Sequence, residues 1–195
     1  MKLHIDKTQR LGVVEELPFA TAIKDNELRD LVYDAWAMSL SSSGFDRIND
    51  MPCSGGPGGP ELPGRGQAAH LNGVARIGVS IAQGLKDEVG HFTVNVDEVI
   101  AGGLCHDLGK AWEYDPENRA RWADHRITGM PSLRHPLMGV FVALTAGLPE
   151  QIAHIAGTHS AEGEHITRSL AGEIVAIADM TFWRVLRSGQ LLESQ

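Results

Sequence analysis

The chain has 195 residues, of which 43% are apolar and 22% are charged, and its formal net charge is −8. This length and composition fit a globular protein with a sizeable core. The negative balance argues against nucleic-acid polymers as the main partner, because binding them requires a basic surface.

Hydropathy and cysteine usage give a first indication of the protein's environment. No stretch of roughly 18 apolar residues occurs, so we expect no transmembrane helix and no membrane partner. The first six residues lack the apolar core of a signal peptide, and a cytoplasmic location is therefore expected. Cys53 and Cys105 do not form a disulfide framework, and both are predicted to be reduced thiols.

Residues 1–66 are predicted to form an arm, one helix and a long loop. The apolar run Leu11–Val14 indicates a strand or an extended arm. Asp25 precedes a periodic apolar run and is the expected N-cap of a helix. Residues 51–66 contain six glycines and four prolines, which excludes a helix or a central strand. A loop of this length is a flexible connection or a functional lid.

The next two helices carry the first residues of chemical interest. Between Gln67 and Leu85, apolar residues recur at helical spacing in one row with His70, which places this histidine on or beside the buried face. A second helix is predicted from Glu98 to Leu108, with Asp97 as its cap and Gly109 as its end.

Helices are also predicted for the last third of the chain. Residues 111–134 read as a polar insertion. His135-Pro136 then starts a helix, whose expected apolar face carries Leu137, Val140, Phe141 and Leu144. A short helix follows from Pro149 to about Gly157, and a last helix from Ser169 to Leu186, with an apolar face of Ile174, Ile177, Ala178 and Phe182. No internal repeat and no strand pairing are evident, so the fold class should be all-α.

Several of these positions could bind a metal. His106 and Asp107 are adjacent and would offer an imidazole and a carboxylate, a ligand pair that suits Zn, Fe, Mn, Co or Ni. Adjacent helical side chains point about 100° apart, so both reach one ion only if it lies between their directions. Asp179 lies within an apolar helix face, where an ionised carboxylate needs a partner or a metal. The simpler interpretation is an ion pair with Arg184 or Arg187.

The order of these residues resembles a known family. His106-Asp107-Leu108-Gly109-Lys110, with histidines before and after it and Asp179 near the end, resembles the HD-domain superfamily of metal-dependent phosphohydrolases. The resemblance covers residues 67–188. It implies a helical bundle with a metal centre between facing helices. Residues 1–66, which precede the part covered by the resemblance, are expected to pack on this domain, so that the chain forms one compact domain.

The resemblance also implies a ligand set and two metal ions. His70, His106, Asp107 and Asp179 would hold one divalent ion. His135 and His159 would hold a second, with Asp107 as the bridge. His159 is preferred over His154 because it follows an Ile-x-x-x spacing and precedes Ser160. His154 would then be a packing residue or a residue that supports one of the ligands.

Cations near this ligand set are candidates for substrate contacts. In the resembled family the lysine that corresponds to Lys110 commonly faces the anionic group of the substrate. The resemblance thus implies catalytic roles for Lys110 and for the bridging ligand Asp107. Arg65, Arg121 and Arg134 could add contacts to an anion. Each arginine alone is more often a solvated surface charge, and a lysine beyond a helix end is also favoured by the helix dipole.

The leading functional prediction is hydrolysis of a small anionic phosphate ester or nucleotide by a metal-activated water. The first alternative is a mixed-valence di-iron oxygenase, since a minority of HD proteins use the same six ligands for that chemistry. The second is a non-catalytic metal-binding regulatory module. A homo-oligomer is compatible with the sequence, which specifies neither the metal nor the substrate.

Overall fold

The computed structural model describes residues 3–121 and 133–194, and it is built almost entirely from helices. The helices are α1 (Lys7–Glu16), α2 (Asn26–Leu40), α3 (Gln67–Glu88), α4 (Val96–Cys105), α5 (Lys110–Tyr114), α6 (Pro116–Arg121), α7 (His135–Thr145), α8 (Glu150–Thr158) and α9 (Leu170–Ser188). The predicted all-α class is confirmed. Within these ranges no helix combines the length and the apolar character needed to cross a bilayer.

Helices α3, α4 and α9 pack against one another, and α8 lies against α4 and α7. The approach of α3 and α4 requires a glycine at Gly103, because a Cβ there would lie 2.7 Å from the Cα of Ala75. Trp36 connects α2 to this group: its side chain is fully buried, and its indole N–H donates to the carbonyl of Leu104 at 2.7 Å. These contacts fix the helix ends that carry the candidate site.

The first element of the chain differs from its prediction. Leu11–Val14 lies within α1 and is not a strand or an extended arm. The helix forms because the Asp6 carboxylate accepts hydrogen bonds from the backbone N–H groups of Thr8 and Gln9. The predicted cap at Asp25 is confirmed, since its carboxylate accepts from two N–H groups in the first turn of α2.

Residues 51–66 form a small hairpin, so the prediction of an unpaired loop was wrong. Strand β1 (Pro52–Ser54) pairs antiparallel with β2 (Glu61–Gly66). The proline-rich composition is tolerated because a two-stranded sheet consists of edges. Glu61 also exchanges two backbone hydrogen bonds of 2.9 Å with Glu193, which ties the hairpin to the end of the described chain.

The segment around the His-Asp motif also departs from the expected pattern. Helix α4 ends at Cys105, not at Leu108, and its cap is Asn95, whose side chain accepts from the N–H of Asp97. The carboxylate of Asp97 instead accepts from the backbone of residues 24 and 25. Residues 111–114, at the start of the predicted polar insertion, instead belong to the buried helix α5. This helix has only five residues, in which apolar and polar side chains are mixed, so no helical period is evident from the sequence.

The apolar face predicted for α7 was wrong. Leu137, Phe141 and Leu144 are each about half exposed, whereas Met138 and Val142 are buried. Apolar residues lie on both sides of this helix, so periodicity alone does not select the buried side. In α9 the predicted face is correct at Ile174 and Ala178, but Ile177 is exposed. The expected start of α9 is confirmed by Ser169, whose hydroxyl caps the helix at the N–H of Gly172.

Candidate metal centre

Six side chains converge where five helical segments meet, and they are the six that the sequence indicated. They are His70 in the first turn of α3, His106 at the end of α4, Asp107 in the turn that follows, His135 at the start of α7, His159 at the end of α8, and Asp179 in α9. Five of these residues are almost fully buried, whereas the side chain of Asp179 is 19% exposed. Asp179 therefore marks the side on which the cluster opens.

The first half of the cluster contains two imidazoles and two carboxylates. The Nε2 atoms of His70 and His106 are 3.0 Å apart. Oδ2 of Asp107 lies 3.3 Å from Nε2 of His70 and 3.2 Å from Nε2 of His106. Oδ1 of Asp179 lies 3.3 Å from Nε2 of His70. Four potential ligand atoms thus face a common centre.

The second half of the cluster contains two more imidazoles beside the other oxygen of Asp107. Nε2 of His135 and Nε2 of His159 are 3.3 Å apart. Oδ1 of Asp107 lies 3.5 Å from the former and 3.6 Å from the latter. The two oxygens of one carboxylate therefore face two different pairs of histidines.

The histidine tautomers suit a metal. Nδ1 of His106 donates to the carbonyl of Gly103 at 2.8 Å, and Nδ1 of His159 donates to the carbonyl of Ala156 at 3.0 Å. A carbonyl only accepts, so each Nε2 is left with its lone pair directed into the cluster. This second contact is typical of metal-binding histidines.

Unsatisfied polar atoms also fit a bound cation. Oδ1 of Asp179 is buried and makes no hydrogen bond within the described ranges. A buried carboxylate oxygen without a hydrogen bond is costly, and a divalent ion would remove that cost. With imidazole nitrogens and carboxylate oxygens as the donor atoms, the residues fit a first-row divalent metal.

Burial and charge act in opposite directions on the histidine pKa values. Burial lowers the pKa of His70 and of His159 below the ordinary value, which favours the neutral form that binds metals. At His106 burial also acts to lower the pKa, but the charge of Asp107 and its hydrogen bond raise it more. The negative charge of Asp107 is therefore the main electrostatic influence inside the cluster.

Lys110 lies beside the carboxylate of Asp107. Its side chain is buried, and its ammonium donates to the carbonyl of Ser54 at 2.9 Å and lies 3.1 Å from Oδ2 of Asp107. Burial alone would raise the pKa of Asp107, but Lys110 and His106 lower it well below its ordinary range. Gln67 donates to the same oxygen at 2.8 Å. The lysine thus contacts the candidate bridging carboxylate directly.

Glu113 is a buried site residue that the sequence did not indicate. Nδ1 of His135 donates to Oε2 of Glu113 at 2.6 Å. Burial acts to raise the pKa of Glu113, but the hydrogen bond and charge of His135 lower it to below the ordinary value. The sequence feature that could have indicated its burial is its position between two large aromatic residues, Trp112 and Tyr114.

The three arginines predicted to bind substrate have different positions. Arg134 lies 3.4 Å from Oε1 of Glu113 and 3.1 Å from Oε1 of Glu162, so its charge is paired within the protein. Arg65 lines a cleft of about 980 Å³ whose described lining contains none of the six candidate ligands. Arg65 therefore lines a surface cleft in which no candidate ligand takes part. The side chain of Arg121 lies outside the described residues.

Two aromatic rings of α9 cover His70. The ring of Trp183 stacks on the His70 imidazole, with centroids 4.8 Å apart and planes inclined at 29°. Phe182 contacts the same imidazole edge-to-face, also at 4.8 Å. His154 lies apart from the cluster; its Nε2 accepts from the backbone N–H of Ser169 at 3.2 Å.

Comparison with known families agrees with this geometry. A family model described as the HD domain matches residues 68–182, more than half of the chain. The chain belongs to the HD-domain family. HD domains bind divalent metals, and most members of the superfamily are metal-dependent hydrolases. The predicted family is therefore confirmed. No curated protein and no solved structure matched the chain.

Proposed function

We propose that this HD protein is a dinuclear metal-dependent phosphohydrolase that acts on a small anionic phosphate ester, a nucleotide being one such ester. The observation that carries the proposal is the division of the Asp107 carboxylate, with Oδ2 facing His70 and His106 and Oδ1 facing His135 and His159. When bound, divalent ions would supply an acidified water and would neutralise charge on the phosphoryl group.

The six clustered residues divide naturally between two ions. His70, His106 and Asp179 would hold the first together with Oδ2 of Asp107. His135 and His159 would hold the second together with Oδ1 of Asp107. A shared carboxylate is the simplest reason for a buried aspartate to have imidazoles on both of its oxygens.

The neighbouring polar residues would orient these ligands. Lys110 and Gln67 both contact Oδ2 of Asp107 and restrict its rotation. Glu113 fixes the His135 tautomer, so that Nε2 is directed towards Asp107. We therefore assign Lys110 a positioning role, because its ammonium already has protein acceptors on two sides.

Access to the cluster would be from the side of Asp179. The other five residues are almost fully buried, and the rings of Trp183 and Phe182 cover His70. Because the cluster is buried, few water molecules can reach it, and its electrostatic interactions with an anionic substrate are stronger than in bulk water. A compact phosphate ester is therefore a better candidate than a polymer.

Metal and activity measurements on the same preparation test the proposal. Protein purified without oxygen should contain about two divalent ions per chain and hydrolyse 4-nitrophenyl phosphate in the presence of Mn²⁺, Co²⁺ or Zn²⁺. An Asp107→Ala variant should lose both the ions and the activity.

An oxygenase is the second candidate, because six His and Asp ligands in two groups also suit a di-iron centre. Two iron ions per chain, oxygen consumption and no phosphatase activity with any added metal would favour it. Metal binding without either activity would favour a regulatory module. Either result would overturn the hydrolase proposal.

A further inference from the structure

A pocket of about 470 Å³ lies between the hairpin turn and α9, outside the ligand cluster. One wall is the turn that joins β1 to β2, residues 55–60. The other wall consists of Trp183, Arg187 and Leu192. The pocket therefore combines exposed backbone, an aromatic ring and a cation.

Both walls of this pocket are connected to the candidate metal centre through side-chain contacts. On one side, Trp183 stacks directly on the candidate ligand His70. On the other, the hairpin turn begins after Ser54, whose carbonyl accepts from the Lys110 ammonium beside Asp107. A ligand in the pocket would thus be separated from the cluster by about one side chain.

The residues of α9 form a row that leads from the cluster into the pocket. Asp179, Trp183 and Arg187 are spaced by four residues, so they lie on one face of the helix. Eight residues of helix correspond to about 12 Å along its axis. Helical side chains lean towards the N-terminus, which brings the Arg187 guanidinium closer to the cluster than its Cα.

Arg187 supplies the cation of the pocket. Its guanidinium makes no ion pair or hydrogen bond with any residue in the described ranges, and it is exposed. Trp183 is half-buried, with one ring face on His70. An indole face next to an unpaired guanidinium is suited to a planar group that carries a negative charge.

The hairpin turn presents a backbone that a ligand can approach closely. A Cβ at Gly55, Gly56 or Gly58 would meet no atom within 4 Å, and Gly58 has a φ of +76°. The turn is held in place by the hydrogen bond from Gly59 to Gly56 and by the pairing of Glu61 with Glu193. It is therefore a defined wall, and the missing side chains leave room for a ligand.

We propose that this pocket binds the part of the substrate that is remote from the reacting phosphate. The expected substrate is a phosphate ester with a second anionic group, joined to the phosphate by a ring or a short spacer. The spacer would lie against Trp183 and the second anion would contact Arg187. This inference rests on the proposed function, since it places the reacting phosphate at the cluster.

Two non-hydrolysable ligands test the pocket by binding alone. Phenylphosphonate carries one anionic group, and 4-carboxyphenylphosphonate adds a second on the far side of the ring. Calorimetry on protein with a verified metal content should show that the native protein binds the carboxylated ligand roughly tenfold more tightly. Arg187→Met should abolish this preference and leave phenylphosphonate binding unchanged.

Arg184→Met provides the matched control. Arg184 is an exposed arginine on the same helix that does not line the pocket, so this variant should keep the tenfold preference. Equal affinities for the two ligands in the native protein, equal effects of the two variants, or no binding of either ligand to metal-loaded protein would overturn the inference. A retained preference with no hydrolysis of 4-carboxyphenyl phosphate would overturn the phosphohydrolase proposal and leave the pocket supported.

Discussion

Nδ1 of His135 donates a 2.6 Å hydrogen bond to the buried carboxylate of Glu113. This pair connects α5 to α7, and His135 belongs to the half of the cluster that also contains His159. Arg134 and Glu162 extend it towards the surface. The orientation of His135 therefore depends on a residue that contacts none of the other candidate ligands.

Replacing Glu113 should weaken one metal site selectively. In Glu113→Gln the amide has nearly the same shape, but it is uncharged and can donate to Nδ1, which would leave Nε2 protonated and unable to bind. We expect the affinity for the second ion to fall about 10–100-fold, while the first ion stays bound. Calorimetric metal titration measures both steps.

The control for this variant is Glu162→Gln, which alters the same network without contacting His135. It should leave both metal affinities unchanged. Equal losses in the two variants, or simultaneous loss of both ions in Glu113→Gln, would show that Glu113 does not position His135.

Lys110→Met tests whether the lysine positions Asp107 or binds substrate. The change leaves the Ser54 carbonyl and the buried Asp107 without their cation. We expect metal-free protein to lose on the order of 3 kcal/mol of unfolding free energy. Metal-loaded protein should lose less, because bound ions also neutralise Asp107. Urea unfolding with and without metal gives both values.

Lys86→Met is the matched change, since Lys86 is an exposed lysine in the last turn of α3. It should alter the unfolding free energy by less than about 0.5 kcal/mol. Unchanged stability in Lys110→Met combined with weaker phosphate binding would instead favour the direct substrate contact predicted from the sequence.

The two thiols should be unreactive in the folded protein. Cys53 and Cys105 are free and fully buried. Burial raises the pKa of Cys53 to about 11 and also raises the pKa of Cys105. The reactive thiolate is therefore scarce at pH 8. Ellman's reagent should titrate neither thiol in native protein at that pH and both in guanidinium chloride, whereas rapid native labelling would contradict the buried positions.

Gly109→Ala should disturb the site through the backbone. A Cβ at Gly109 would lie 2.7 Å from the Cα of His135 and still closer to its carbonyl oxygen. We expect a loss of about 1–3 kcal/mol in unfolding free energy and weaker binding of the second ion. Thermal unfolding and metal titration measure these effects.

Gly84→Ala is the opposite case within a helix. Gly84 is exposed in α3, and a Cβ there would meet no atom within 4 Å. This variant should stabilise the protein by about 0.5–1 kcal/mol. Similar destabilisation by both alanines would contradict the close contact at Gly109.

The burial of some candidate ligands was predictable because it depends on local order, whereas the complete candidate set was implied by the family resemblance. His70 shares a helical row with apolar residues, and the His106-Asp107 motif lies at a helix end, so their burial follows from spacing. Asp25 was identified as a helix cap for a similar reason, since a cap contacts only the first turn that follows it.

The parts that were predicted wrongly depend on distant contacts. The hairpin at residues 52–66 is fixed by Ser54 with Tyr114, whose hydroxyls are 2.6 Å apart, and by the pairing of Glu61 with Glu193. The hydrogen bond between Glu113 and His135, which the sequence did not indicate, likewise joins two separate elements. Leu137 and Phe141 were assigned to the wrong side of α7 because the helix is apolar on both sides.

Metal stoichiometry in matched variants tests most directly whether Asp107 is shared between two ions. His135→Ala combined with His159→Ala removes only the pair that faces Oδ1, whereas Asp107→Ala removes the candidate bridge. Elemental analysis of purified, folded protein should give about two ions per chain for the native protein, one for the double variant and close to none for Asp107→Ala. Equal metal content in the native protein and the double variant would contradict a dinuclear centre.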